Sequence, residues 1–297
     1  MITDKETNYV YFSSKLKEWY QPEYENIIKI IENYNQGKDD KQKIGHGLLH
    51  GTKDIWCWDY CPIQIDENNF VQFRYEPSYL KGYEDIKTLP YCIPELEKFN
   101  ITPSEIIFDG GNVVKWSNKI IITDRIYCEN YNKYGDKDLI KRFADELKLS
   151  EQEVIIIPAD DTEMTGHADG MVRFIDEKKV FVNHEERLDD EDLKEFENDI
   201  KCILKKHKLE PLPIPVVYDE TDYDDEEIES AIGCYVNFLQ VSDLIIAPVF
   251  GYKEDRKVEQ ILKDNYKNCE IETIDINRIA EQGGLMNCLN WNVKIKK

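Results

Sequence analysis

The chain has 297 residues, with 60 Asp and Glu against 38 Lys and Arg, a formal charge of −22. Such acidity excludes a reader of nucleic-acid phosphates, which needs a basic surface, and favours encounter with a small cation. Hydrophobic residues at 41% and aromatics at 11% suffice for a core, which excludes global disorder.

No apolar run approaches the roughly 20 residues that a membrane span needs. The segment Met1 to Asn8 is polar and acidic, with no basic-then-apolar leader. The expectation is a cytosolic protein with no membrane partner. Its 8 cysteines are expected to be free thiols, mostly small core residues, with at least one open to chemistry.

Tyr9 to about Gly37 predicts an amphipathic helix, with Trp19, Tyr20, Ile27, Ile28, Ile30 and Ile31 apolar among Lys and Glu. A polar loop follows at Gly37–Gln42. From Ile44 onward, short apolar or alternating runs alternate with turn residues. Phe70–Tyr75, Glu105–Phe108 and Ile120–Thr123 read as strands, the last two separated by the Gly110-Gly111-Asn112 and Ser117-Asn118 turns. A helix is predicted over Asp138–Leu149, a buried strand over Val154–Pro158, and a hairpin pairing Val172–Ile175 with Lys179–Val182. A helix over Asp190–His207 precedes a strand at Ile214–Tyr218, and Asp219–Glu229 is an acidic cluster that reads as a solvated loop. Strands at Cys234–Leu239, Leu244–Pro248 and Glu270–Ile276 enclose a helix at Asp255–Asn265, and the tail Asn287–Ile295 alternates. The pattern predicts one unit over residues 1–297, with a helix and loop over 1–43 and repeated strand–strand–helix–strand units over 44–297, in an α/β or α+β class.

Four segments combine reactive side chains with glycine or aromatic residues. Asp54-Ile55-Trp56-Cys57-Trp58-Asp59 sets two carboxylates among aromatics, where burial is costly unless a cation meets them. Phe108-Asp109-Gly110-Gly111-Asn112 carries paired glycines that permit close backbone approach. In Gly166-His167-Ala168-Asp169, residues two apart on extended backbone face the same side, so His167 and Asp169 would share a site. Cys288 follows Gly283-Gly284 at the start of a predicted strand. Taken singly, each segment is equally explained as a packing loop or a plain turn. Taken together, one cysteine, one histidine and several acids are the parts of thiol-based covalent catalysis on a cation. His46 and His50 have helical spacing, but Gly45, Gly47 and Gly51 argue against a helix and against zinc there, and Cys57 and Cys61 lack a second pair at finger spacing.

These segments resemble the agmatine deiminase and bacterial peptidylarginine deiminase family of the guanidino-modifying pentein superfamily. Asp54–Pro62 is similar to the family's Asp-x-Trp-x-Arg-Asp-x-Gly-Pro, Phe108–Asn112 to its Glu-Gly-Gly-Asn, and Gly166–Phe174 to its Gly-His-x-Asp segment. Tyr235–Phe238, Ile246–Gly251 with Asp255, Ile274-Asp275 and Gly283-Gly284 through Cys288 follow in family order, so the likeness runs from about Ile44 onward.

The resemblance implies a pentein-type α/β propeller, five ββαβ-like units around a central active site. It implies a deiminase that converts a cationic guanidino small molecule, agmatine first, to a ureido product and ammonia, with a place in polyamine biosynthesis towards putrescine. Cys288 would be the nucleophile and His167 the acid and base. Asp59 and Asp169 would grip the guanidinium, and Asp109 would contact the guanidinium or His167. Asp54, Trp56, Trp58 and Asn112 would complete the substrate-binding set. The bound cation and His167 would lower the Cys288 thiol pKa. No metal or other cofactor is implied, and homo-oligomerisation is left open.

The sequence departs from the family at Trp58 (usually Arg), Asp109 (usually Glu), Cys61 (usually Gly) and Asn287 (commonly His). These departures leave open a peptidylarginine or other guanidine deiminase, an amidinotransferase, or a relative that binds guanidines without turnover.

Overall fold

The computed structural model describes residues 1–185, 191–218 and 229–296. The acidic cluster therefore lies outside the described residues except for Glu229, and so does Asp190, the expected start of a helix.

Where the periodicity predicts helix from Tyr9, the chain instead begins with a strand, β1 (Tyr9–Ser13), whose residues from Val10 on are buried. Its aromatic and β-branched make-up suits a pleated surface. The helical pattern belongs only to α1 (Ser14–Trp19) and α2 (Gln21–Asn35), which bury Leu16, Ile27 and Ile31. Strand β2 (Gly45–Leu49) then pairs parallel with β1, so His46 lies on a strand.

Next come the short helix α3 (Cys57–Tyr60) and strands β3 (Ile63–Gln64), β4 (Asn69–Arg74) and β5 (Asn100–Ile107). Strands β6 (Val114–Trp116) and β7 (Lys119–Thr123) are followed by helices α4 (Arg125–Asn130) and α5 (Asp136–Glu146) and strand β8 (Val154–Ile157). The hairpin β9 (Val172–Phe174) and β10 (Lys179–His184) forms as expected, ahead of α6 (Glu191–Lys206) and β11 (Glu210–Pro215). The last stretch holds β12 (Leu239–Val241), β13 (Leu244–Val249), α7 (Glu254–Asn265), β14 (Glu270–Asp275), α8 (Asn277–Ala280) and β15 (Asn290–Val293).

These strands form five three-stranded sheets of one design. In each, a central strand pairs antiparallel with one neighbour and parallel with the other: β3-β4-β5, β6-β7-β8, β9-β10-β11, β12-β13-β14 and β15-β1-β2. A parallel pair needs a crossover, supplied by helices in four sheets. In the β3-β4-β5 sheet, short single-turn helices at Ser78–Leu80, Pro90–Cys92 and Pro94–Lys98 serve instead. The fifth sheet joins the two ends of the chain, because β15 lies antiparallel on β1. The expected separation of residues 1–43 from the units of 44–297 is thus corrected: β1 is the middle of a sheet.

Two further strand expectations are revised. Within Cys234–Leu239 only Leu239 is in a strand, and Cys234 makes one isolated bridge to Val216. The tail does not alternate: all four β15 residues are buried, and Asn290 and Asn292 satisfy their amides on the Met286 and Gln240 carbonyls at 2.7 Å each.

All eight cysteines are free; only Cys57 and Cys61 are buried, while Cys92, Cys128 and Cys202 are exposed. Among the described residues no helix is long and apolar enough to cross a membrane.

Candidate active site

In every unit, the segment just before the outer antiparallel strand presents a polar side chain to one region. Asp59 precedes β3, Asp109 precedes β6, His167 and Asp169 precede β9, Asn237 precedes β12, and Cys288 precedes β15. Asp59, His167, Asp169, Asn237 and Cys288 line a cavity of about 230 Å³, with Asp54, Trp56, Tyr79 and Glu163 on its walls.

His167 is 6% exposed, and carboxylates face both ring nitrogens. Nε2 lies 2.9 Å from Asp109 Oδ2, and Nδ1 lies 3.9 Å from Asp59 Oδ1. Burial alone would lower the His167 pKa, but Asp109, Asp59 and Asp169 outweigh it and raise it to about 10. The ring is an imidazolium at neutral pH. Asp109 also accepts a hydrogen bond from the Tyr79 hydroxyl at 2.9 Å. Burial pushes the Asp109 carboxyl up, yet the His167 charge prevails and holds it below its usual range. Asp109 therefore serves the histidine, one of the two contacts expected of it.

The ring sits this close only because residue 111 is glycine. A Cβ on Gly111 would stand 2.1 Å from His167 Nδ1 and 2.8 Å from Asp59 Oδ1. The Gly111 amide instead donates to Asp59 Oδ1 at 3.1 Å. On the opposite wall a Cβ on Gly284 would meet the Trp56 ring at 2.5 Å. The paired-glycine segments thus admit a ring in each case.

Asp169 reaches the cavity from a tight turn over Ala168–Gly170, entered from extended backbone at His167, rather than from a continuous strand. Asn287 Nδ2 donates to its Oδ2 at 2.8 Å, and Cys288 Sγ lies 3.7 Å from the same oxygen. Asn237 Nδ2 donates to Cys288 Sγ at 3.3 Å. Burial pushes Asp59 and Asp169 up, against the pull of His167. Burial, then Asp169 and Asp59, push the Cys288 thiol well above its ordinary value. This corrects the expectation that His167 lowers it. The sulfur faces two acids, and the His167 ring nitrogens face Asp109 and Asp59 instead.

Asp54 lines the cavity, with its oxygens accepting from the Trp56 amide at 2.9 Å and the Thr88 hydroxyl at 3.2 Å; burial raises it to about 6. Trp58 and Asn112 stand apart from the cavity. Trp58 packs under Lys115, whose Nζ is 4.9 Å from the ring centre, and Asn112 Oδ1 accepts from the Thr123 backbone amide at 2.7 Å. Sequence reasoning gave no role to Asn237, Tyr79 or Glu163. For Asn237 there was a signal, since it lies in Tyr235–Phe238, one of the family-like segments. Tyr79 and Glu163 carried none, because long loops bring them in. Among the described residues, no group of three or more His, Cys, Asp or Glu side chains is placed to hold a metal ion.

Five three-stranded sheets around a cleft carrying Cys288, His167 and carboxylates define a pentein-type α/β fold. The model of the Porphyromonas-type peptidyl-arginine deiminase family matches residues 20–293, and the chain belongs to that family. A Selenomonas ruminantium protein provisionally named agmatine deiminase is 21% identical over 315 residues, covering 93% of this chain and 81% of the relative. The structure of C. jejuni agmatine deiminase aligns with a TM-score of 0.73 at 18% identity, over 100% of this chain and 96% of that one. The Enterococcus faecalis agmatine deiminase structure gives 0.74 at 15% identity, over 97% and 93%. At those identities the structural likeness speaks to the fold.

Proposed function

We propose that the chain hydrolyses the guanidino group of a cationic small molecule, agmatine first, to a ureido product and ammonia. The observation that carries this reading is the set of charges around the cavity. A cysteine and an imidazolium meet walls of Asp54, Asp59, Glu163, Asp169 and Glu229, and no lysine or arginine lines it among the described residues. Such walls suit a dication. Free arginine would bring a carboxylate with no lysine or arginine among the described lining residues to receive it.

In this reading Asp59 and Asp169 hold the planar guanidinium by paired, charge-assisted hydrogen bonds. The bound cation displaces the thiol proton of Cys288, which leaves to solvent, because a positive neighbour favours thiolate. The thiolate adds to the guanidinium carbon. His167 gives its proton to the departing nitrogen, and ammonia leaves a thiouronium on Cys288. Neutral His167 then takes a proton from water, the hydroxide adds to the same carbon, and the C–S bond breaks as the added hydroxyl gives its proton to solvent, which frees the neutral ureido product and the thiolate. Asp109 stabilises the imidazolium and holds its orientation throughout. No metal or cofactor enters these steps.

Glu163 supplies the far end of the substrate site. It lines the same cavity, and burial, with Asp160 and Glu229 near, raises it to about 8. An ammonium tail would stabilise its anion. One observation favours a second reading, a peptidyl arginine: Ile86, Met164 and Tyr218 on the cavity wall are 46%, 50% and 42% exposed and would lie against a polypeptide. An ammonia-release screen of agmatine, arginine, arginyl peptides and methylated arginines, with and without an acceptor amine, tests both readings. Ammonia from agmatine alone favours the first and from arginyl peptides the second. Binding without turnover of any compound contradicts both.

A further inference from the structure

A turn at the start of the chain reaches the back of this cleft. The Thr3 amide and hydroxyl both donate to Glu6 Oε2, at 2.9 and 2.8 Å, which closes a single turn over Asp4–Glu6. The Asp4 carboxylate points inward from it. Its Oδ1 accepts from Lys115 Nζ and its Oδ2 from Arg173 Nη2, each at 2.7 Å. The two cationic side chains are each 5% exposed and that of Asp4 is 18% exposed, so solvent replaces little of this pairing. Burial would raise the Asp4 carboxyl, but Lys115 and Arg173 overcome it and hold it below its usual range.

The chain of contacts continues to the reacting groups. Arg173 Nη1 donates to Asn287 Oδ1 at 2.7 Å, and Asn287 Nδ2 donates to Asp169 Oδ2 at 2.8 Å. A side-chain amide has one acceptor and one donor end. Arg173 occupies the acceptor, so the donor must face Asp169. The Asn287 backbone amide donates to Asn237 Oδ1 at 2.9 Å, and Asn237 is the residue that donates to the Cys288 sulfur. A flipped Asn287 would set its oxygen against the Asp169 carboxylate.

We propose that Asp4, acting through Arg173 and Asn287, is a positioning residue that fixes the Asp169 carboxylate against Cys288. Asp4 lies outside residues 20–293 matched by the family model, so that match assigns it nothing. Its effect on turnover rests on the deiminase reading; its effect on the thiol does not.

The test compares the full chain with Asp4→Ala and with Asp4→Ala/Lys115→Met. The double variant removes one cation with the anion and so guards against misfolding from an unbalanced buried charge. The readouts are kcat/KM with agmatine, the pH profile of Cys288 alkylation by iodoacetamide, and Tm. Asp4→Ala is expected to lower kcat/KM about tenfold or more. It is also expected to move the alkylation midpoint down by about half a pH unit or more, since Arg173, released from Asp4, turns its charge toward Asp169, the carboxylate beside the sulfur. The double variant is expected to melt close to the parent and to keep the loss in kcat/KM. A merely structural role would lower Tm alone, and a folded variant with parental turnover and alkylation profile overturns the proposal. If the deiminase reading itself fails, the parent releases no ammonia, while the alkylation shift still appears.

Discussion

Asn287 and Asp169 are joined by a 2.8 Å hydrogen bond, and the residue after Asn287 is Cys288, 3.7 Å from the same carboxylate oxygen. The proposed nucleophile and one proposed grip on the substrate are therefore fixed by a single amide. That arrangement leaves the sulfur beside an acid until a cation arrives.

Neutral alkylating reagents should then find Cys288 slow. With its thiol pushed up by burial and by Asp169 and Asp59, iodoacetamide at pH 7 is expected to label the exposed Cys92, Cys128 and Cys202 first. An amidinium electrophile, which brings its own positive charge, is expected to reverse that order. Peptide mapping after short exposures checks both. Cys288 labelling fastest with the neutral reagent would show that the empty site already holds a thiolate.

Replacing Gly111 by alanine should cost both stability and turnover. The added methyl would overlap His167 Nδ1 and Asp59 Oδ1, backed by a buried ring with little room to shift. Overpacking of this kind costs about 1–3 kcal/mol. Loss of the His167–Asp109 alignment should reduce kcat about a hundredfold, the lower range for a displaced general acid. Denaturant melts and initial rates check the pair of effects, and parental kcat would show that His167 needs no such placement.

These two sites also show how far the sequence could be read. Most strands from Phe70 onward were legible from alternation and turn chemistry, whereas Asp59, Asp109, His167, Asp169 and Cys288, each ambiguous in its own segment, stood out only through their combination and family-like spacing. The strand Tyr9–Ser13 was not legible, because the helical periodicity of α2 was carried back across it and its partners β2 and β15 lie far along the chain. Trp58 and Asn112 share segments with Asp59 and Asp109, yet their side chains turn to Lys115 and Thr123; adjacency in sequence does not settle direction. The approach of Tyr79 to Asp109 is a tertiary contact with no local trace.

Glu163 should set the preference for a charged tail. Glu163→Gln is expected to raise KM for agmatine about tenfold, the size of one lost charge contact in a partly wet site, and to leave a guanidine with an uncharged alkyl tail unchanged. Since the Glu163 carboxyl sits at about 8, KM for agmatine in the parent should fall as pH rises through that value, and the variant should lose this dependence. Equal effects on both substrates would place Glu163 outside tail recognition.

Stability should decline on the alkaline side. A group whose pKa is raised by folding contributes stability that is complete below its unfolded value and disappears as pH rises through its folded value. That window runs from 6.5 to about 10 for His167, from 4.5 to about 8 for Glu163 and from 3.8 to about 6 for Asp54. His167 and Glu163 act in the same direction between pH 6 and pH 10, with Asp54 adding below about 6, so Tm is expected to fall over that interval, and Glu163→Gln should flatten the part of the curve below about 8. A Tm that rises over this interval would contradict the buried imidazolium and the raised carboxyls.

In the proposed chemistry, the Cys288 sulfur bonds to the guanidino carbon. Acid-quenched mixtures of enzyme and agmatine, taken during turnover and resolved by peptide mass spectrometry alongside ammonia release, test it most directly. A substrate-derived adduct is expected on the Cys288 peptide of the parent, with neither adduct nor ammonia from Cys288→Ala. Ammonia released by Cys288→Ala at the parental rate would contradict it.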